Sequence, residues 1–130
     1  MKRLLLVEDD PKDLSVAAEA AKCLGIFEVE ARTSLSPAQS MLEKGLQGTE
    51  PLPDVIVLDL NLDYESGYEL LRYWHRTPEL SRIPVIVWSI LGEEQREMCK
   101  LFKVSAYVGK WEGADALREA LSRVAAATYQ

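Results

Sequence analysis

Four polar signatures stand out because each directly follows an apolar run. Glu8-Asp9-Asp10 follows LLLV, Asp59 follows VIVL, Ser89 follows VIVW, and Lys110 follows AYVG. Carboxylates crowded in one place repel one another, so they need a cation or raised pKa values. A set of oxygen ligands without histidine or cysteine suits Mg²⁺, which keeps several waters and takes few protein carboxylates. A lysine and a serine beside it complement the oxygens of a phosphoryl group, as a point charge and a hydrogen-bond donor. An aspartate can itself act as nucleophile and form an acyl phosphate. The protein's task is then positioning and charge neutralisation.

Convergence of these residues requires elements that end at one edge. Leu4 to Val7 reads as a strand buried on both faces. Asp10-Pro11 reads as an N-cap and first helical residue, and the stripe Leu14, Ala17, Ala18, Ala21, Leu24 stops at Gly25. Phe27 to Arg32 alternates as a second strand. Ser36-Pro37 is expected to open the second helix by the same device, and Gln47 to Pro53 is a loop. Val55 to Leu58 is the third strand, followed by a helix with Leu70, Leu71 and Trp74 on one side. Pro84 starts the fourth strand. Glu93 to Phe102 is expected to be a helix with Met98, Leu101 and Phe102 inward. Val104 to Val108 is the fifth strand, and Ala114 to Ala127 the last helix, with Leu117, Leu121 and Val124 in register. Strict alternation of five strands and five helices argues an α/β domain, a parallel sheet with helices on both faces. In such sheets ligands bind at the carboxyl ends of the strands, where four of the five expected strands carry the polar residues above.

The chain has 130 residues and is 48% apolar, which suits one domain with its own core. A net charge of −6 argues against nucleic-acid binding. No apolar run is long enough to span a bilayer, and the N-terminus lacks a signal-peptide pattern. Cys23 and Cys99 lie far apart and read as free, buried thiols of a cytoplasmic protein. The single histidine, His75, reads as a helix-surface residue.

The motifs VEDD, PDVIVLDLNLDYESG, PVIVWS and AYVGK, in this order and spacing, resemble the receiver domain of bacterial response regulators, over essentially the whole chain. The resemblance implies a flavodoxin-like sheet of order 2-1-3-4-5 and a single receiver domain over 1–130 with no output domain. It implies Asp59 as phospho-acceptor and Glu8, Asp9 and Asp59 as Mg²⁺ ligands, with the backbone carbonyl of Asn61. Asp10 is left to cap the helix. Ser89 matches the switch hydroxyl, Tyr107 the switch aromatic, Lys110 the lysine that contacts acceptor and phosphoryl group, and Gly67 the loop glycine. The implied partners are a sensor histidine kinase or a histidine phosphotransfer protein, and an unidentified downstream protein. They would communicate through the fourth helix, fifth strand and fifth helix. A homodimer through the fourth and fifth helices is an alternative that no sequence feature supports.

Three positions depart from the pattern. Trp111 stands where the family has a cis-proline, so a trans bond and a shifted loop are expected. Ile90 replaces a small residue and is expected to narrow access to Asp59. Asp63 replaces a proline. Leu91 offers no polar group to orient a water, which favours slow loss of the phosphoryl group. Trp88 and Trp111 fall near the site as candidate partner contacts. Other functions fit less well. A pseudo-receiver that keeps the fold without phosphorylation is motivated by Trp111 and Ile90, and opposed by the complete set of polar groups. A haloacid-dehalogenase-type phosphatase needs a second aspartate where this chain has Asn61. A flavin carrier needs a phosphate loop where Glu8-Asp9-Asp10 would repel phosphate. No catalysis beyond the chain's own phosphorylation and dephosphorylation is expected.

Overall fold

Apolar runs such as LLLV, VIVL and VIVW offer no face to water, so they must lie between two covering layers. The computed structural model describes residues 1–62, 64–90 and 92–128 and shows this arrangement. In chain order the elements are β1 (Lys2–Val7), α1 (Pro11–Cys23), β2 (Phe27–Arg32), α2 (Leu35–Leu46), β3 (Val55–Leu58), β4 (Asn61–Leu62) and β5 (Glu65–Ser66). There follow α3 (Tyr68–Arg76), the short α4 (Pro78–Ser81), β6 (Val85–Ser89), α5 (Glu93–Leu101), β7 (Ala106–Gly109), a 3₁₀ turn (Lys110–Glu112) and α6 (Ala114–Thr128). The main sheet is parallel, ordered β2-β1-β3-β6-β7. Counting its own strands alone, this is the expected 2-1-3-4-5. The antiparallel β4–β5 hairpin is an addition that two-residue strands do not announce.

Alternate residues of each strand feed two cores. Leu5, Val7, Ile56, Leu58, Val85 and Val87 face α2, α3, α4 and α5. Leu4, Leu6, Val55, Val57, Ile86 and Trp88 face α1 and α6. Helices on both faces are thus required by the period-two exposure of strands that are apolar throughout.

Register decides which polar residues meet. Val7 pairs with Leu58, so Glu8 and Asp59, the next residues, emerge side by side. Ser89 pairs with Gly109, so Ser89 emerges beside the start of Lys110. A slip of one residue would turn every core side chain to the wrong face, which locks this alignment.

Helix α1 begins as expected: the Asp10 side chain accepts from Asp13 N at 2.9 Å, Pro11 is the first helical residue, and Gly25 at φ +68° ends the turn. Such a cap contributes about 1 kcal/mol. Helix α2 starts earlier than expected. Ser34, not Ser36, is its N-cap, and its side chain makes no capping bond. Instead Glu65 Oε2 of the hairpin accepts from Leu35 N at 3.0 Å. A distant carboxylate at the helix N-terminus replaces the local cap, which is why the local signal misleads.

Helix α5 also differs. Met98 and Leu101 point outward, 46% and 73% exposed, whereas Cys99 is buried. Its inner stripe is Arg96, Cys99 and Phe102, so α5 is held by few apolar contacts. Cys99 is a buried thiol as expected, its pKa pushed up to about 11 by burial, but Cys23 is exposed. Trp74 and Trp88 are buried, which removes Trp88 as a surface contact, and Trp111 is 75% exposed. Asp63 and Leu91 lie outside the described residues. Among those described, no helix is long and apolar enough to cross a membrane.

Candidate functional site

The carboxyl ends of β1, β3 and β7 deliver their polar residues to one cleft of about 250 Å³, lined by Glu8, Asp9, Asp59, Asn61, Ile90 and Lys110 among others. Glu8 is fully buried and Asp59 only 2% exposed. Carboxylates this dry are costly unless paired or shared with a cation. Ligand oxygens of Glu8, Asp9 and Asp59 all lie within 4.8 Å of one another.

One ammonium answers the crowd. Lys110 Nζ lies 2.7 Å from Glu8 Oε1, 2.8 Å from Asp13 Oδ2 and 3.1 Å from Asp59 Oδ2. The Glu8 contact is an ion pair by distance, off the hydrogen-bonding direction. The Lys110–Trp111 bond is trans, and the chain turns into the 3₁₀ helix at Lys110 without loss of reach. Asp13 was not expected here. Sequence offers one weak signal for it: it stands one helical turn beyond the acidic triplet, on the helix face above the cleft.

The electrostatics follow from burial. Removal from water pushes the Glu8 carboxyl up to about 7; Lys110 opposes this and the charge of Asp59 adds to it. For Lys110, burial alone would lower the pKa, but the hydrogen bond to Asp13 and the close carboxylates of Glu8 and Asp59 hold it above the ordinary lysine range. The site is therefore short of positive charge, and its donor set is oxygen only. That set fits a hard divalent cation held by Glu8, Asp9 and Asp59.

The backbone holds Asp59 in place. Asn61 N donates to Asp59 Oδ1 at 3.0 Å, and Asp59 N donates to Val7 O at 3.0 Å. Gly67 passes so close that a Cβ there would strike the Asp59 carbonyl oxygen and lie 2.7 Å from Leu60 Cα. Glycine is required for space here, since its φ of −60° is open to any residue.

Ser89 is fully buried, and its Oγ has no hydrogen-bond partner, an unusual condition for an interior hydroxyl. Ile90 lines the cleft and is 61% exposed. Tyr107 sits apart from the cleft, half-buried, with the Arg96 guanidinium 4.8 Å above its ring. Arg96 also reaches Glu112, whose Oε2 accepts from Gly109 N at 2.7 Å. So α5 is tied to the turn that carries Lys110, a link the sequence did not reveal.

The comparisons with known proteins agree with this geometry. Residues 4–122 match the family model of the response regulator receiver domain. Response regulator Rcp1 of Synechocystis is 35% identical over 88 residues, covering 66% of this chain and 60% of that protein. Two-component response regulator ORR1 of Oryza sativa subsp. japonica is 36% identical over 97 residues, 72% of this chain and 42% of its own length. The chain thus spans about two fifths to three fifths of these relatives. Among solved structures, the Mn²⁺-bound form of Rcp1 superposes with a TM-score of 0.78 at 30% identity, covering 92% of this chain and 88% of that one. The phosphorylated cyanobacterial phytochrome response regulator RcpA gives 0.76 at 31%, covering 91% and 86%. This chain thus belongs to the response regulator receiver domain family of two-component systems.

Proposed function

We propose that the chain accepts a phosphoryl group on Asp59 and switches a partner-binding surface in response. The observation that carries this is a buried Asp59 carboxylate held by Lys110 within an excess of acids. The donor is a phosphohistidine of a sensor histidine kinase or phosphotransfer protein. The donor's N–P bond breaks as an O–P bond to Asp59 forms, and the histidine leaves as neutral imidazole, its ring carrying a proton taken from solvent. Glu8, Asp9, Asp59 and the Asn61 carbonyl would hold Mg²⁺, which would supply charge neutralisation for phosphoryl oxygens. Lys110 gives up its carboxylate contact for a phosphoryl oxygen, and the unpartnered Ser89 hydroxyl donates to another. Movement of Ser89 and Lys110 shifts Tyr107 and the surface of α5, β7 and α6. The few buried contacts of α5 suit an element with two arrangements.

A second reading is an interaction module that is not phosphorylated. Ile90 on the cleft lining favours it. Intact-mass measurement after incubation with acetyl phosphate and Mg²⁺ separates the two. One phosphoryl adduct, lost without Mg²⁺ or in Asp59→Ala, is the expected result. No adduct, and no beryllofluoride-dependent change, would leave the interaction module standing.

A further inference from the structure

A groove larger than the acidic cleft lies elsewhere on the molecule. It measures about 810 Å³ and runs along the outer edge of β7, between α5 and α6. No strand lies beside β7 on that side among the described residues. Its floor is small and apolar, made by Ala106, Val108, Ala116 and Val124. Small side chains at the floor leave depth for larger ones from outside.

Its charge runs against that of the whole protein. The chain carries −6, yet among the described residues lining the groove four are cations, Arg82, Arg96, Lys103 and Arg123, and one is an acid, Glu112. Glu112 is already engaged by Arg96 and Gly109 N. Arg123 has a solvent-exposed partner on its own helix, Glu119. Arg82 and Lys103 are exposed and have no acidic partner among the described residues. They precede β6 and β7, so they stand at the end of the groove farthest from Asp59.

We infer that this groove docks an acidic segment of a partner protein, apolar side chains over the alanine and valine floor and carboxylates against Arg82 and Lys103. A second copy of the chain is the poorer occupant, because a two-fold contact would set these same cations against one another. Nucleic acid is poorer too, since the apolar floor offers nothing to phosphate and the net charge repels it. The inference takes the surface named in the phosphorylation reading and gives its partner's chemistry.

The test is selection from a displayed library of random dodecapeptides against the full chain, with and without beryllofluoride and Mg²⁺. Expected are peptides rich in Asp and Glu around apolar residues, weakened about tenfold by the double variant Arg82→Glu, Lys103→Glu. Both side chains are exposed, so the fold should survive, which circular dichroism checks. Acidic peptides bound equally in both states would uphold the groove's chemistry and overturn the switch. Selected peptides without acidic enrichment, binding indifferent to the double variant, or no selection at all would overturn the inference. So would a dimer in sedimentation that the double variant dissolves and acidic peptides do not compete with.

Discussion

The two ends of the one sheet handle charge in opposite ways. At the amino end, acids meet donors of their own: Arg3 N donates to Asp54 at 2.7 Å, and its guanidinium pairs with Glu30 at 2.8 Å. At the carboxyl end, Glu8, Asp13 and Asp59 share Lys110, with Asp9 close by. Strands β1 and β3 thus begin beside acids that each have a donor and end in a cation-deficient cleft. A sheet needs only the first to fold. The second sacrifices stability, because buried like charges repel, and gains a site that binds what it lacks.

Exchanging one acid at each end gives the sharpest contrast. Asp59→Asn should abolish acetyl-phosphate labelling, read by intact mass, whereas Asp54→Asn should leave labelling intact. Equal labelling of both variants would erase the distinction between the ends. Removing one cation at each end comes next. Lys110→Met leaves buried carboxylates without their counter-charge and should cost about 3 kcal/mol in metal-free denaturant unfolding at pH 7.5. Arg3→Met, at a part-exposed pair, should cost about 1 kcal/mol or less.

Glycine replacement is a third contrast. Gly67→Ala forces backbone against backbone beneath Asp59 and should cost about 2 kcal/mol and slow labelling. Gly45→Ala, near the amino end, meets only the movable Leu52 side chain and should cost less than about 1 kcal/mol.

The smallest effect is a slope with pH. The Glu8 carboxyl is raised from 4.5 to about 7 in the folded chain, so the folded state binds its proton more tightly than the unfolded state. Its contribution is complete below pH 4.5 and is lost as pH rises through about 7. In EDTA, Tm should fall by a few degrees, roughly 3 °C, between pH 5.5 and 7.5. Mg²⁺ displaces that proton, so its stabilisation should be larger at pH 8 than at pH 6. In Glu8→Gln both trends should flatten, as calorimetry would show.

The sequence carried the strands, because runs such as LLLV and VIVW admit few other solutions, and with them the convergence of Glu8, Asp59 and Lys110. It was less informative where a distant group replaces a local one. Ser36-Pro37 has the pattern of a cap, but Glu65, thirty residues away, supplies the acceptor for α2. Met98 and Leu101 look like core, but α5 presents Cys99 inward and leaves them in water. Asp13 joins the site through three-dimensional proximity to Lys110, 97 residues later. The β4–β5 hairpin is too short to carry a periodicity at all.

The placement of the three indoles makes the molecule its own optical instrument. Trp74 and Trp88 are sealed in the two cores, while Trp111 lies out in solvent against the backbone of Gly109, next to Lys110. Iodide or acrylamide therefore quenches one emitter and spares two. A rearrangement at Lys110 would alter the quenchable fraction, with the emission of Trp74 as the shielded reference, so occupancy of the acidic cleft could be followed in unlabelled protein.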